Sequence, residues 1–152
     1  NQFNFNKMAS KRDYLKYWRV IRYWVKARHE LSQDDIDILL FLNSEGRFQK
    51  VDFERFAKLL PWSTYRFHNL VRDGWIETYG KRYGKNRYQL TMKAERLIVS
   101  IYNKLEGEEI SVTTRKNPMF KKNVSYTDKV YRDMIIEMNE YIKEQQQRPS
   151  PE

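Results

Sequence analysis

Apolar residues recur at helical spacing along much of this 152-residue chain. Between Ser10 and about Glu30 they are separated by four, three and four positions, which places them on one face of a helix. The residues of this face are Tyr14, Trp18, Ile21 and Val25. The preceding residues, 1–10, are polar and rich in Asn, which indicates an arm.

A second helix is predicted to begin after Ser32, which is a favourable N-cap residue. Asp35 occupies the third helical position, and Leu31 and Ile36 are placed to form a hydrophobic staple across the start of the helix. Gly46 is a natural stop for this helix.

Two further helices are predicted before the pattern changes. The third covers about 52–60 and is ended by Pro61. Its inward side chains are expected to be Phe53, Phe56, Ala57 and Leu60. Ser63 caps the fourth helix, which extends to Asp73 and is broken by Gly74.

A β-hairpin and two more helices complete the prediction. The segments 75–79 and 87–91 are rich in β-forming residues, and the Gly-containing segment 80–86 between them is the expected turn. Helical spacing resumes from Ala94, and a last helix begins at about Thr127. The segment 106–126 is expected to be an irregular basic linker.

The predicted fold class is mainly α with a small β-hairpin wing, in which a winged helix-turn-helix is flanked by dimerisation helices. The predicted divisions are an arm and helix at 1–30, the winged domain at 31–93, C-terminal helices at 94–147 and a tail at 148–152. Because the flanking helices carry more apolar surface than one small domain can cover, a homodimer is expected. Its predicted interface is Tyr14, Trp18, Ile21, Val25, Ile98, Ile101, Leu105, Tyr131, Met134, Met138 and Tyr141.

The charge of the chain favours a polyanionic partner. There are 29 Lys and Arg against 20 Asp and Glu, which gives a formal net charge of +9. The positive charge is concentrated in two blocks, because residues 1–30 carry 8 basic and 2 acidic side chains and residues 61–93 carry 7 and 2. This uneven distribution indicates a binding face rather than a uniformly solvated surface.

Several function classes lack the residues they need. The chain has no Cys and only two His, His29 and His68, so no metal site is predicted. No candidate nucleophile has a base and an orienting partner, so neither an enzyme nor a cofactor is predicted. No apolar run reaches 18 residues and no secretory signal is visible, so we expect a cytoplasmic protein, in a bacterial cell or a phage-infected host.

The candidate DNA contacts lie on the fourth helix and the hairpin. Apolar residues of that helix, Phe67, Leu70 and Val71, are expected to face inward and leave its polar side chains outside. The basic turn of the hairpin suits phosphates or a narrow minor groove. The predicted DNA-binding residues are Ser63, Thr64, Tyr65, Arg66, His68, Asn69, Arg72, Lys81, Arg82, Lys85, Asn86 and Arg87.

The central segment resembles winged-helix bacterial regulators, most closely those of the multiple-antibiotic-resistance regulator (MarR) type. The resemblance is carried by the segments 31–42, 56–60, 63–64, 70–76 and 87–91. It implies a homodimer that binds DNA and regulates transcription. It also implies a small aromatic effector in a cavity lined by Trp residues, whereas core packing is the favoured explanation for Trp62 and Trp75. The Trp residues are Trp18, Trp24, Trp62 and Trp75.

Two alternatives stay open at this point. In the first, the winged helix is a structural or protein-binding module of a larger nucleoprotein or viral (phage) assembly. In the second, it belongs to a replication initiator or partition protein, which predicts tandem direct repeats in the bound DNA. Sequence selectivity and binding-site symmetry separate these hypotheses from the regulator.

Overall fold

The computed structural model describes residues 13–56 and 63–147, and in them the chain is mainly helical with one small antiparallel sheet. Four helices and three strands precede a second group of helices. The elements are α1 (Tyr14–His29), α2 (Gln33–Glu45), β1 (Phe48–Gln49), α3 (Lys50–Phe56), α4 (Thr64–Arg72), β2 (Ile76–Arg82), β3 (Lys85–Leu90), α5 (Met92–Leu105), a 3-10 turn (Pro118–Phe120) and α6 (Tyr126–Gln147). The predicted class, mainly α with a small hairpin, is confirmed at this level.

The chain divides into two compact units. The central unit is Glu30–Tyr102, and the terminal unit joins Asn1–His29 to Asn103–Glu152. Most of the two predicted segments 1–30 and 94–147 therefore belongs to the terminal unit. The second boundary lies after Tyr102, within α5, whereas the sequence placed it after residue 93. The arm and the tail lie outside the described residues.

The helix starts of the central unit follow their predicted caps. Ser32 Oγ accepts a hydrogen bond from the backbone N–H of Asp35, and the Asp35 carboxylate accepts one from the backbone N–H of Ser32, both at 3.1 Å. α2 ends at Gly46, whose φ of 77° favours glycine. α4 is capped by Ser63, as predicted. The described part of α3 ends at Phe56, so the predicted continuation through 57–60 lies outside the described residues.

The sheet contains a strand that the sequence pattern did not reveal. β1 has only two residues and pairs with β3 through Phe48 opposite Tyr88 and Gln49 opposite Arg87, so the strand order is β1-β3-β2. Two residues are too few to show an alternation of apolar and polar positions. The Gln49 N–H donates to the Asp52 carboxylate at 2.8 Å, which links this strand directly to the first turn of α3.

The hairpin is longer and its turn tighter than predicted. β2 continues to Arg82 and β3 begins at Lys85, so only Tyr83 and Gly84 form the turn, with φ values of 52° and 76°. The pairing changes register between Thr78 and Lys81, which leaves one extra residue in β2. A bulge therefore takes up part of the predicted seven-residue turn.

Aromatic rings hold α3 and α4 on the sheet. Phe48 meets Phe53 edge to face at 4.5 Å, and Phe67 meets Tyr88 in the same way at 4.8 Å. Phe48, Phe53 and Phe67 are buried, and such ring pairs contribute about 0.5–1.5 kcal/mol each beyond their buried area. This packing orients α4, since Phe67 lies on its inward face.

The terminal unit is built on antiparallel packing of α1 and α6. The ring of Tyr23 stacks on Tyr131 with centroids 3.8 Å apart, and the Tyr23 hydroxyl donates to the Asp128 carboxylate. Burial and this hydrogen bond raise the pKa of Tyr23 to about 12. Arg19 donates to the Tyr131 hydroxyl at 3.3 Å, which extends the contact by a turn of α1.

The segment 106–126 is not a simple linker. Asn117 and Met119 are fully buried, and Asn117 caps the 3-10 turn. The Asn139 side chain donates to the carbonyl of Ile110 and accepts from its N–H, at 2.8 and 3.0 Å. The segment is held by hydrogen bonds of buried Asn side chains rather than by a regularly spaced apolar face. Apolar periodicity therefore could not reveal its ordered structure.

The residues of the predicted dimer interface need correction. Five of them are buried inside their own chain, with 0–4% of their surface exposed: Ile21, Val25, Ile98, Ile101 and Met138. An apolar stripe shows that a helix buries one face, but not which chain covers it. Trp18, Leu105, Tyr131 and Met134 are half-buried, and Tyr14 and Tyr141 are exposed. The dimer itself stays a prediction.

Candidate nucleic-acid interface

One face of α4 is held inside and the opposite face is open. Phe67 and Leu70 are buried, and the cap at Ser63 accepts a hydrogen bond from the backbone N–H of Arg66 at 3.1 Å. Helical geometry then turns positions three and four residues apart to the same side. The exposed side chains of α4 are Thr64, Tyr65, His68 and Arg72.

Arg66 does not belong to this open face. Its guanidinium donates to Asp35 at 2.8 Å and to Ser32 Oγ at 2.9 Å, and it lies 3.5 Å from Asp34. Only 26% of its side chain is exposed. Because two carboxylates and a hydroxyl hold the guanidinium at the start of α2, we exclude Arg66 from the set of candidate base contacts.

The remaining predicted residues of α4 differ in availability. Ser63 is an exposed helix cap, and Asn69 is half-buried on the edge of the open face. Arg72 donates to the neighbouring Asp73 carboxylate at 3.2 Å, but 69% of its side chain is exposed. An exposed pair of this kind is weak enough to exchange its partner for a phosphate.

The hairpin end concentrates positive charge. The segment 81–87 contains four basic residues and no acidic one. Its predicted DNA-binding residues Lys81, Arg82, Lys85 and Asn86 are all exposed. Glu77 lies nearer the base of the hairpin, where its carboxylate accepts a hydrogen bond from Gln89 at 2.9 Å. The end of the hairpin therefore presents its cations away from that carboxylate.

Arg87 takes part in a cluster that the sequence analysis missed. Tyr79 lies between two guanidinium groups, with Arg47 Cζ 3.7 Å and Arg87 Cζ 5.5 Å from its ring centroid. Arg87 lies next to Tyr88, whose ring packs on Phe67, so alternation along β3 turns Arg87 to the opposite face. Arg47 directly precedes β1 and is exposed. We call Arg47, Tyr79 and Arg87 the Arg-Tyr-Arg cluster.

Arg47 was missed because it lies in the segment 31–60, which is acidic overall. Its basic charge joins the hairpin only through the pairing of β1 with β3. The only feature of the sequence that sets Arg47 apart is its position directly after Gly46, the residue that caps the end of α2.

The described Trp residues belong to two different units. Trp75 is buried in the central unit, and Trp24 is buried in the terminal unit, where its Nε1 donates to the Lys116 carbonyl at 3.3 Å. Trp18 is half-buried near Arg22, and Trp62 lies outside the described residues. The small aromatic effector stays a prediction.

Two further features bear on the class of the protein. Over 13–56 and 63–147, no helix is long and apolar enough to cross a membrane. Among the same residues, no three His, Asp or Glu side chains are grouped as metal ligands would be. The central unit carries an exposed basic and aromatic surface on α4 and the hairpin.

No protein-family model, curated protein or solved structure matches this chain. The resemblance to regulators of the MarR type accordingly stays a prediction from the sequence.

Proposed function

We propose that the central unit is a winged helix that binds double-stranded DNA, and that the protein is a transcriptional regulator. The observation that carries the proposal is the order α2-β1-α3-α4-β2-β3, with β1 paired to β3. A winged helix has this order of elements. Here it combines a helix with an open polar face and a hairpin that ends in cations.

In the proposed complex, α4 enters the major groove. Its exposed Tyr65 and His68 and its half-buried Asn69 offer groups that hydrogen-bond base edges. Asn pairs with adenine through two hydrogen bonds, which makes Asn69 the best candidate for a base contact. Arg72 supplies charge to the adjacent phosphates.

The hairpin contacts the DNA backbone. Lys81, Arg82 and Lys85 are exposed and lie close together in sequence around a two-residue turn. Such cations neutralise phosphates without reading sequence and make the affinity dependent on salt. The Arg-Tyr-Arg cluster extends this positive surface along the sheet.

A homodimer would place two copies of α4 about 34–36 Å apart, one turn of the duplex, on a pseudo-palindrome.

One observation favours a second candidate function. Because Ile21, Val25, Ile98, Ile101 and Met138 are buried in their own chain, much of the surface expected to form the dimer is already covered. A winged-helix module that binds DNA inside a larger nucleoprotein assembly needs no such dimer.

Selection of bound sites from a pool of random duplexes tests the proposal. A selected palindrome, together with a sedimentation mass near twice 18.7 kDa, supports the dimeric regulator. Salt-sensitive binding without a consensus, by a monomer, supports the assembly module. If a dimer neutralises about 6–10 phosphates, its affinity falls about 10³–10⁵-fold between 50 and 200 mM salt. Absence of duplex binding at low salt contradicts both.

A further inference from the structure

The turn at the end of the hairpin contains an unfavourable residue. Tyr83 and Gly84 both have positive φ values, 52° and 76°, as a type I′ turn requires. Asn and Asp followed by Gly are favoured in such turns because they tolerate the left-handed region. Tyr lacks this tolerance, so its presence at the first of the two positions works against the turn.

Packing within the fold does not explain the ring. Tyr83 is 89% exposed, and no other exposed large apolar side chain of the described residues exceeds this value. Residues held in unfavourable backbone regions cluster at functional sites, where the surrounding structure maintains them. An exposed aromatic residue in such a position therefore points to a contact outside the chain.

The neighbours of Tyr83 identify the chemistry of that contact. Arg82 Cζ lies 5.4 Å from its ring centroid, and Lys81 and Lys85 are exposed on either side of the turn. A ring surrounded by cations suits a partner with a negatively charged backbone and flat apolar bases. Because the turn has only two residues, its end is narrow enough to approach a minor groove about 6 Å wide.

We propose that Tyr83 is a wedge that enters the minor groove of duplex DNA and packs against a base step, while Arg82 and Lys85 contact the flanking phosphates. Apolar side chains inserted in this way partly unstack the step and bend the duplex by about 20–90°. The inference rests on the proposed function of the central unit. The wedge would make the protein prefer sites with easily deformed base steps, and contacts from α4 to base edges do not produce that preference.

The Tyr83→Asn variant separates binding from folding. Asn is favoured in this turn, so the melting temperature should stay equal or rise. The ring is lost, so affinity for the selected duplex should fall by roughly 5- to 150-fold, the range expected for one aromatic contact with a base. Tyr83→Phe keeps the ring and should keep the affinity. Tyr126→Asn, which removes an 82% exposed ring from the terminal unit, is the matched control and should also keep it.

The second measurement is the bending of a duplex labelled at both ends, detected by fluorescence energy transfer between the labels. The wild-type protein and Tyr83→Phe should bend the DNA, and Tyr83→Asn should not. If the wild type binds the duplex and Tyr83→Asn binds and bends it equally, the wedge is overturned while the proposed function stands. An equal loss of affinity on single-stranded DNA also overturns a wedge in the duplex. If the wild type binds no duplex, the proposed function fails first and the wedge with it.

Discussion

The carboxylate of Asp35 accepts a hydrogen bond from the Arg66 guanidinium at 2.8 Å, across 31 positions of sequence. The same carboxylate accepts the backbone N–H of Ser32, so one acidic residue both caps α2 and anchors α4. Arg66, in the first turn of α4, is thereby turned toward the start of another helix. Its charge is paired within the central unit, whereas Tyr65 and His68 of the same helix are exposed and Asn69 is half-buried.

Replacing Arg66 by Ala should destabilise the protein. The Asp35 side chain is only 19% exposed, so removing its partner leaves a partly buried carboxylate less well paired. We expect a loss of about 1–3 kcal/mol in the free energy of unfolding, measured by urea denaturation. The control is Arg55→Ala, which removes an exposed pair with Asp52 at 3.6 Å and should cost less than about 0.5 kcal/mol. Unchanged stability with a lost sequence preference would show that Arg66 reads bases after all.

Replacing Asn69 by Ala should change sequence preference. If Asn69 contacts adenine, the variant loses about 1–3 kcal/mol of affinity on the selected duplex and little on random duplexes. Affinities on both DNAs, measured at the same salt concentration, test this. An equal loss on both would mean that α4 contacts only the backbone.

Replacing Lys81, Arg82 or Lys85 by Ala should weaken binding to every duplex alike. Each lost phosphate contact should reduce the slope of log affinity against log salt by about one unit. The measurement is a salt titration of each variant on selected and random DNA. Lys143→Ala removes the same charge from the terminal unit, where Lys143 lies 3.5 Å from Glu109, and should leave the slope unchanged. A similar drop in that control would point to total charge rather than the hairpin.

The hydroxyl of Tyr23 makes stability depend on pH in the alkaline range. Its pKa is raised to about 12 in the folded protein, against an ordinary value of 10.0. The unfolded chain therefore loses this proton first as the pH rises, so the stabilisation is complete below about pH 10 and is lost between about pH 10 and 12. Allowing for partial solvent screening, the amount is about 1–2 kcal/mol.

The Tyr23→Phe variant isolates this effect from the other groups that titrate there. It should be less stable than the wild type at neutral pH, and the difference should shrink toward pH 12. Denaturation curves at several pH values measure it. Tyr126→Phe, which changes an exposed hydroxyl, should follow the wild type throughout. A constant difference between Tyr23→Phe and wild type would contradict the shifted pKa.

The sequence predicted the helix caps and the presence of a hairpin turn correctly because each depends on residues that are close together in the chain. The caps at Ser32 and Ser63, the stop at Gly46 and the hairpin near Gly84 each depend on one or two neighbouring side chains. Apolar spacing located α1, α5 and α6. The open face of α4 followed from the same spacing, since Phe67 and Leu70 mark its inward side.

Tertiary structure decided what depends on partners far away in the chain. β1 exists as a strand because Phe48 meets Tyr88, and Arg47 joins the hairpin only through that pairing. A helical stripe cannot show which surface covers it, so the residues assigned to a dimer, such as Ile21 and Ile98, proved to be buried in their own chain. Arg66 fits a DNA contact in the sequence, but Asp34 and Asp35 hold it because folding places α4 beside the start of α2. Spacing along the chain determines which side a residue takes on its own helix, and only the packing of elements determines what that side meets.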